Sequence, residues 1–86
     1  MKVTIYGTMV CPDCEEIIHY LSNQTQIAYE FKDFNVSTAH LKEFLKIRDT
    51  HPMFTKIKEE GCIGIPLFQL EDGTLTFQFE EVTARM

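Results

Sequence analysis

The sequence contains no run approaching the roughly 18 consecutive apolar residues that a membrane-spanning helix needs, and its opening Met1-Lys2-Val3-Thr4-Ile5-Tyr6 has neither a long apolar stretch nor a small-residue cleavage site. A soluble, unprocessed chain is the expectation. Basic residues are scarce: eight Lys and Arg stand against thirteen Asp and Glu, for a net charge of -5. Such a surface repels phosphate backbones and anionic lipid alike, which argues against nucleic-acid and membrane partners. With no internal repeat, low-complexity tract or Pro/Gly/Ser-rich linker, the 86 residues, 44% apolar and 24% charged, read as one domain spanning 1–86. The three cysteines are an odd number and two of them are only three positions apart, which excludes the disulfide framework of a small secreted domain. What remains is intracellular thiol chemistry, and the expected location is the cytoplasm.

Punctuation along the chain comes from single residues. Val3, Ile5 and Tyr6 form a β-branched and aromatic strand that stops at Gly7, and Cys11-Pro12-Asp13-Cys14 then opens a helix. Pro12 suits the first helical position because its missing N–H would be unpaired there, and Asp13 and Glu15 complement the positive end of the helix dipole. Cys14, Ile17, Ile18 and Leu21 fall at i, i+3, i+4 and i+7, one apolar stripe that should end at Ser22-Asn23. From Ala28 to Phe34 the sequence alternates as a half-exposed strand near a sheet edge. Ser37 is the expected cap of a second helix running to about Arg48, with Val36 and Leu41 at the two positions of a hydrophobic staple. Pro52 can open a further short helix that turns Met53, Phe54 and Ile57 inward, with Gly61 as its left-handed terminator. Ile65 to Leu70 reads as a strand, Asp72-Gly73 as a two-residue hairpin turn, and Leu75 to Phe79 as its alternating return. Pairing Glu71 with Thr74 sets Leu70 opposite Leu75 and Phe68 opposite Phe77. A short helix from Glu80 completes the order β-α-β-α-(α)-β-β-α, an α/β fold with a four-stranded mixed sheet and helices on both faces.

The chemistry sits in Cys11-x-x-Cys14. Residues at i and i+3 on a helical turn have Cβ atoms about 5 to 6 Å apart, close enough to join as a disulfide with small adjustment. Cys11, at the turn where unpaired backbone N–H groups favour a thiolate, is the expected nucleophile, and Cys14, one turn deeper on the apolar stripe, the expected resolving thiol. A structural zinc site would need two further ligands at regular spacing, and His19, His40 and His51 do not supply them. His19 points about 140° around the helix from Cys14 and cannot act as its base. Cys62 lies four residues before Pro66. Its expected role is that of a small buried hydrophobe, the other reading being a third, regulatory thiol near the dithiol.

These features resemble the glutaredoxins of the thioredoxin fold, and the divergent glutaredoxin-related proteins most. The similarity covers Lys2 to Arg85 and rests on Cys11-Pro12-Asp13-Cys14 after the first strand, on Ile65-Pro66 about 50 residues later, and on the hairpin at Asp72-Gly73. The resemblance implies that Pro66 is a cis-proline facing the dithiol and that the Ile65 backbone pairs with bound peptide or glutathione. Pro12 and Asp13 would border the ligand, and Glu80 and Glu81 would hold its ammonium group, although the helix dipole alone explains acidic residues there. Asp13 replaces the family's Tyr and Thr8 its lysine, which removes two features that favour an anion. Phe77-Gln78 stand where the family has Gly-Gly, residues 49–60 look inserted, and the last helix is short. The implied function is reduction of protein or glutathione mixed disulfides by Cys11 and Cys14, with no cofactor beyond the dithiol and with glutathione or a thioredoxin-reductase-type protein as donor. Two alternatives stand beside it: an iron-sulfur or metal carrier using Cys11, and a non-catalytic interaction module that keeps the fold.

Overall fold

Strand β1 (Lys2–Gly7) lies inside a four-stranded sheet, paired in parallel with β2 (Ala28–Asp33) on one side and antiparallel with β3 (Leu67–Gln69) on the other, and β4 (Leu75–Thr76) completes the order β2-β1-β3-β4. The computed structural model describes residues 2–85. Between these strands run α1 (Pro12–Ser22), α2 (Thr38–Thr50), a 3-10 turn (Pro52–Phe54) with α3 (Thr55–Glu59), and finally α4 (Phe79–Thr83). This is the expected order of elements. The parallel β1–β2 pair requires a crossover, which α1 provides.

Helices cover both faces, so the inner strands need apolar side chains on both. Val3 and Ile5 of β1 join Phe68, Leu70, Leu21 and Val82 in one core beneath α1 and α4. Tyr6 and Leu67, pointing the other way, join Phe44 and Phe54 in a second core beneath α2 and α3. The consecutive apolar pairs Ile5-Tyr6 and Leu67-Phe68 are the local signature of strands buried on two sides. The second core is largely aromatic: the Phe44 ring lies 5.2 Å from Phe34 and 5.8 Å from Phe54, and Phe54 lies 5.1 Å edge-on from Phe77.

The caps follow from the sequence. Ser37 accepts the Ala39 N–H through its side chain at 3.1 Å. The end of α3 closes when the Cys62 N–H donates to Ile57 O and the Gly61 N–H to Lys58 O, with Gly61 at φ 73 as the required left-handed residue. Met53, Phe54 and Ile57 all pack into the second core. The staple at α2 does not form. Val36 is 76% exposed, and Leu41 packs inward without it.

The hairpin differs from its expected register by one residue. Phe68 is opposite Thr76 and Gln69 opposite Leu75. The Leu70 N–H donates to Thr74 O, the Gly73 N–H donates to Leu70 O, and Gly73 has φ 90, so the loop has three residues, Glu71-Asp72-Gly73, with the glycine in the left-handed position. One added loop residue slides every cross-strand pair by one and so exchanges the faces. Phe77 and Leu75 therefore enter the second core, while Thr76 is buried on the first face. Its hydroxyl donates to the Glu81 carboxylate and accepts the Gln78 N–H. Those bonds turn the chain into α4 at Phe79, which shortens β4 to two residues, well short of a strand reaching Phe79. Asp72 accepts from Thr74 and from the Arg85 guanidinium, interactions that hold its carboxyl well below the usual carboxylate range.

The fully buried Phe44 ring and the exposed Val36 side chain make opposite predictions. Phe44→Ala should lower the unfolding free energy by about 3 to 5 kcal/mol in urea melts, through lost burial and a cavity. Val36→Ala should change it by less than about 0.5 kcal/mol, whereas a formed staple would make it costlier.

Candidate active site

The loop after β1 is held by Thr8. Its carbonyl accepts the Cys11 N–H at 3.1 Å and its hydroxyl the Val10 N–H at 3.3 Å. Cys11 is the N-cap of α1, in extended conformation, with Pro12 in the first turn and no side-chain cap on the N–H groups of that turn. Its own carbonyl accepts the Glu15 N–H at 3.0 Å.

Cys14 turns inward against the end of β1. It has no exposed surface, and a Cβ built on Gly7 would stand 2.6 Å from its sulfur. Gly7 is thus required for space: any larger residue would push Cys14, and the start of α1 with it, off the sheet. The Cys14 thiol is pushed up to about 12, chiefly by burial and in smaller part by the neighbouring Cys11 and the charge of Asp13, against a lowering influence of the Thr8 backbone. The two thiols are thus set in unlike surroundings one helical turn apart, Cys11 half-buried and Cys14 enclosed.

Two hollows flank this pair. Cys11 borders one of about 490 Å³ whose other walls include Thr8, Val10, Cys62, Ile63 and Ile65. The second, of about 310 Å³, is bordered by Asp13, Glu16, Pro66, Phe77 and Glu80. The Ile65–Pro66 peptide bond is cis, as the resemblance implies, and this dipeptide divides the hollows, Ile65 on the Cys11 side and Pro66 on the acidic side. Pro12 is exposed beside Cys11. Glu80 reaches the acidic hollow, whereas the Glu81 carboxylate takes the Thr76 hydroxyl hydrogen bond.

Cys62 corrects an expectation. It is exposed, because α3 ends at Glu59 and the closure at Gly61 turns the chain so that Ile57 and Phe54, not Cys62, fill the second core. Two contributors were not singled out from the sequence. Gly7 carried the signal of a glycine directly after a strand. Arg48, which continues the helical spacing of α2, donates to the carbonyls of Cys62 at 2.7 Å and Ile63 at 2.9 Å, and nothing local announces that reach. Among the described residues no three His, Cys, Asp or Glu side chains converge as metal ligands, and no helix is long and apolar enough to cross a membrane. His19 is exposed, His40 Nδ1 is in hydrogen-bond contact with Asp33 O, and His51 caps the 3-10 turn.

No family model matches the chain, and no solved structure gives a significant match. A protein of Haemophilus influenzae, described as an uncharacterized protein, is 25% identical over 81 residues, covering 94% of this chain and 93% of that protein. The two are therefore similar along nearly their whole lengths.

The enclosure of Cys14 predicts a difference in labelling. With the folded thiol raised from 9.0 to about 12, the native state keeps its proton where an unfolded chain would lose it. The stability contributed by the buried neutral thiol is therefore full below about pH 9 and declines as pH rises toward 12. Iodoacetamide on the reduced native protein at pH 8 should modify Cys11 and Cys62 and spare Cys14 in a peptide map. Equal labelling of all three would contradict the enclosure.

Proposed function

We propose that the chain is a thiol-disulfide oxidoreductase of the thioredoxin fold, glutaredoxin-like, that reduces protein or glutathione mixed disulfides. The observation carrying this reading is the asymmetry of two thiols one helical turn apart at the start of α1, one bordering a cavity and the other without exposed surface. Cys11, reacting as the thiolate, attacks one sulfur of the substrate disulfide. That S–S bond breaks, and the departing thiolate takes up a proton. Cys14 then gives up its proton and attacks the Cys11 sulfur, forming the Cys11–Cys14 disulfide and releasing the second substrate thiol. Two electrons pass from the dithiol to the substrate, and a donor thiol returns them.

The position of Ile65 beside Cys11 supports assigning its backbone to a bound peptide. Asp13, Glu16 and Glu80 give the neighbouring hollow an acidic rim, which favours a protein reductase over the anionic glutathione as donor. Free thiols with these roles suit a reducing compartment such as the cytoplasm.

A disulfide-reduction assay run with glutathione and glutathione reductase, and separately with NADPH and thioredoxin reductase, tests the reading. Wild type should turn over, Cys11→Ser should be inactive with either donor, and Asp13→Asn or added salt should raise the glutathione-dependent rate roughly severalfold. Absence of turnover with both donors, or activity retained in Cys11→Ser, would remove the oxidoreductase assignment. Fast glutathione-dependent turnover indifferent to Asp13→Asn and to salt would remove the acidic rim from the choice of donor.

A further inference from the structure

Cys62 has no part in the cycle above, yet its surroundings fix it beside that cycle. Its N–H is tied to Ile57 O by the closure of α3, and its carbonyl and that of Ile63 are held by the Arg48 guanidinium. Two residues on, Gly64 has φ 95 and lies so close to the Phe54 ring that a Cβ there would stand 2.6 Å from it. The backbone is thus anchored on both sides of Cys62 while its side chain stays exposed. Cys62 borders the same cavity as Cys11, whereas Cys14 lies enclosed within the fold. A mixed disulfide on Cys11 would therefore lie between two thiols, one enclosed and one open.

We propose that Cys62 is a second resolving thiol. Its thiolate attacks the Cys11 sulfur of the mixed disulfide; the Cys11–Cys62 bond forms, the bond from Cys11 to the substrate sulfur breaks, and the substrate leaves as a thiolate that takes up a proton. The electron count is that of resolution by Cys14: two protein thiols become one disulfide, and one substrate disulfide becomes two thiols. This rests on Cys11 being the nucleophile. Cys62 is exposed where Cys14 has no exposed surface, so the open route needs no opening of the fold. Substrates seated across the apolar cavity would cover Cys62 and be resolved by Cys14, while small disulfides would leave it free to act. A disulfide needs Cα atoms within about 7 Å, so formation of the cross-link itself reports on the approach of the loop.

The test uses 5,5′-dithiobis(2-nitrobenzoic acid), one equivalent per dilute protein, so that each thionitrobenzoate released is counted by its absorbance. In Cys14→Ser, attack by Cys11 releases one thionitrobenzoate, and resolution by Cys62 releases a second. Two per chain, with a peptide joining Cys11 to Cys62 in a protein that remains monomeric, is the expected result. One per chain, with a stable adduct on Cys11 and a free Cys62, would overturn the proposal and leave the oxidoreductase reading standing. An unreactive Cys11 would overturn both. Since Ser at the buried position of Cys14 can disturb folding, the same release is followed in wild type and in Cys62→Ser, where the exposed side chain carries no packing. The second release should slow on the order of tenfold in Cys62→Ser; an unchanged rate in that variant would overturn the second resolving role.

Discussion

The site depends on one close approach, that of the Cys14 sulfur to the backbone of Gly7 at the end of β1. Because Gly7 has no side chain, α1 can set its first turn directly on the strand end, and the stripe of Ile17, Ile18 and Leu21 continues that contact along the first core. The same docking fixes the two cysteines in opposite environments. Cys14, at i+3 from Cys11, is carried inside the fold, and Cys11 remains at the helix start beside solvent. A hydrophobic contact made to pack a helix thereby also separates an enclosed thiol from a half-exposed one.

The second constraint is the division of the sheet into two cores. Adjacent apolar residues in β1 and β3 feed one core each, and the three-residue hairpin loop decides which face the β4 side chains join. With Phe77 turned to the Phe54 side and Thr76 to the other, the chain after β4 bends at once into α4, held by the bonds of Thr76 to Glu81 and Gln78. That bend brings Gln78, Phe79 and Glu80 beside Pro66 and forms the acidic hollow. On the opposite side, residues 52–61 fill the second core with Phe54 and deliver the loop that carries Cys62 and Ile65 to Cys11. The two hollows are thus consequences of how the flanking segments are packed.

Much of this was legible in the sequence where the signal is local. Pro12 at the helix start, the Ser37 cap, the Gly61 terminator and the alternation from Ala28 each act within a few residues, and the elements they imply are present. The dithiol was legible for the same reason, since its spacing is one helical turn. The misreadings concern choices that neighbours make. Asp72-Gly73 is compatible with a two- or a three-residue loop, and the burial of Phe77 against Phe54 favours the latter. Val36 has the right spacing for a staple but finds no core beside it. Cys62 looks like a buried hydrophobe by residue type, yet the closure of α3 and the hold of Arg48 on its carbonyl leave it at the rim of the cavity. No window around residue 62 contains Arg48 or Cys11.

The central claim is that Cys11 and Cys14 form a reversible dithiol–disulfide couple with Cys11 as its accessible member. Equilibrating the protein across a series of reduced and oxidised dithiothreitol mixtures, trapping with acid, and mapping the disulfides by mass spectrometry measures this directly. The account predicts one two-electron transition in which Cys11–Cys14 is the dominant linkage and which reverses fully on returning to reducing conditions. A protein whose Cys11 and Cys14 stay unlinked across the whole series, or are linked only through other chains, would contradict it.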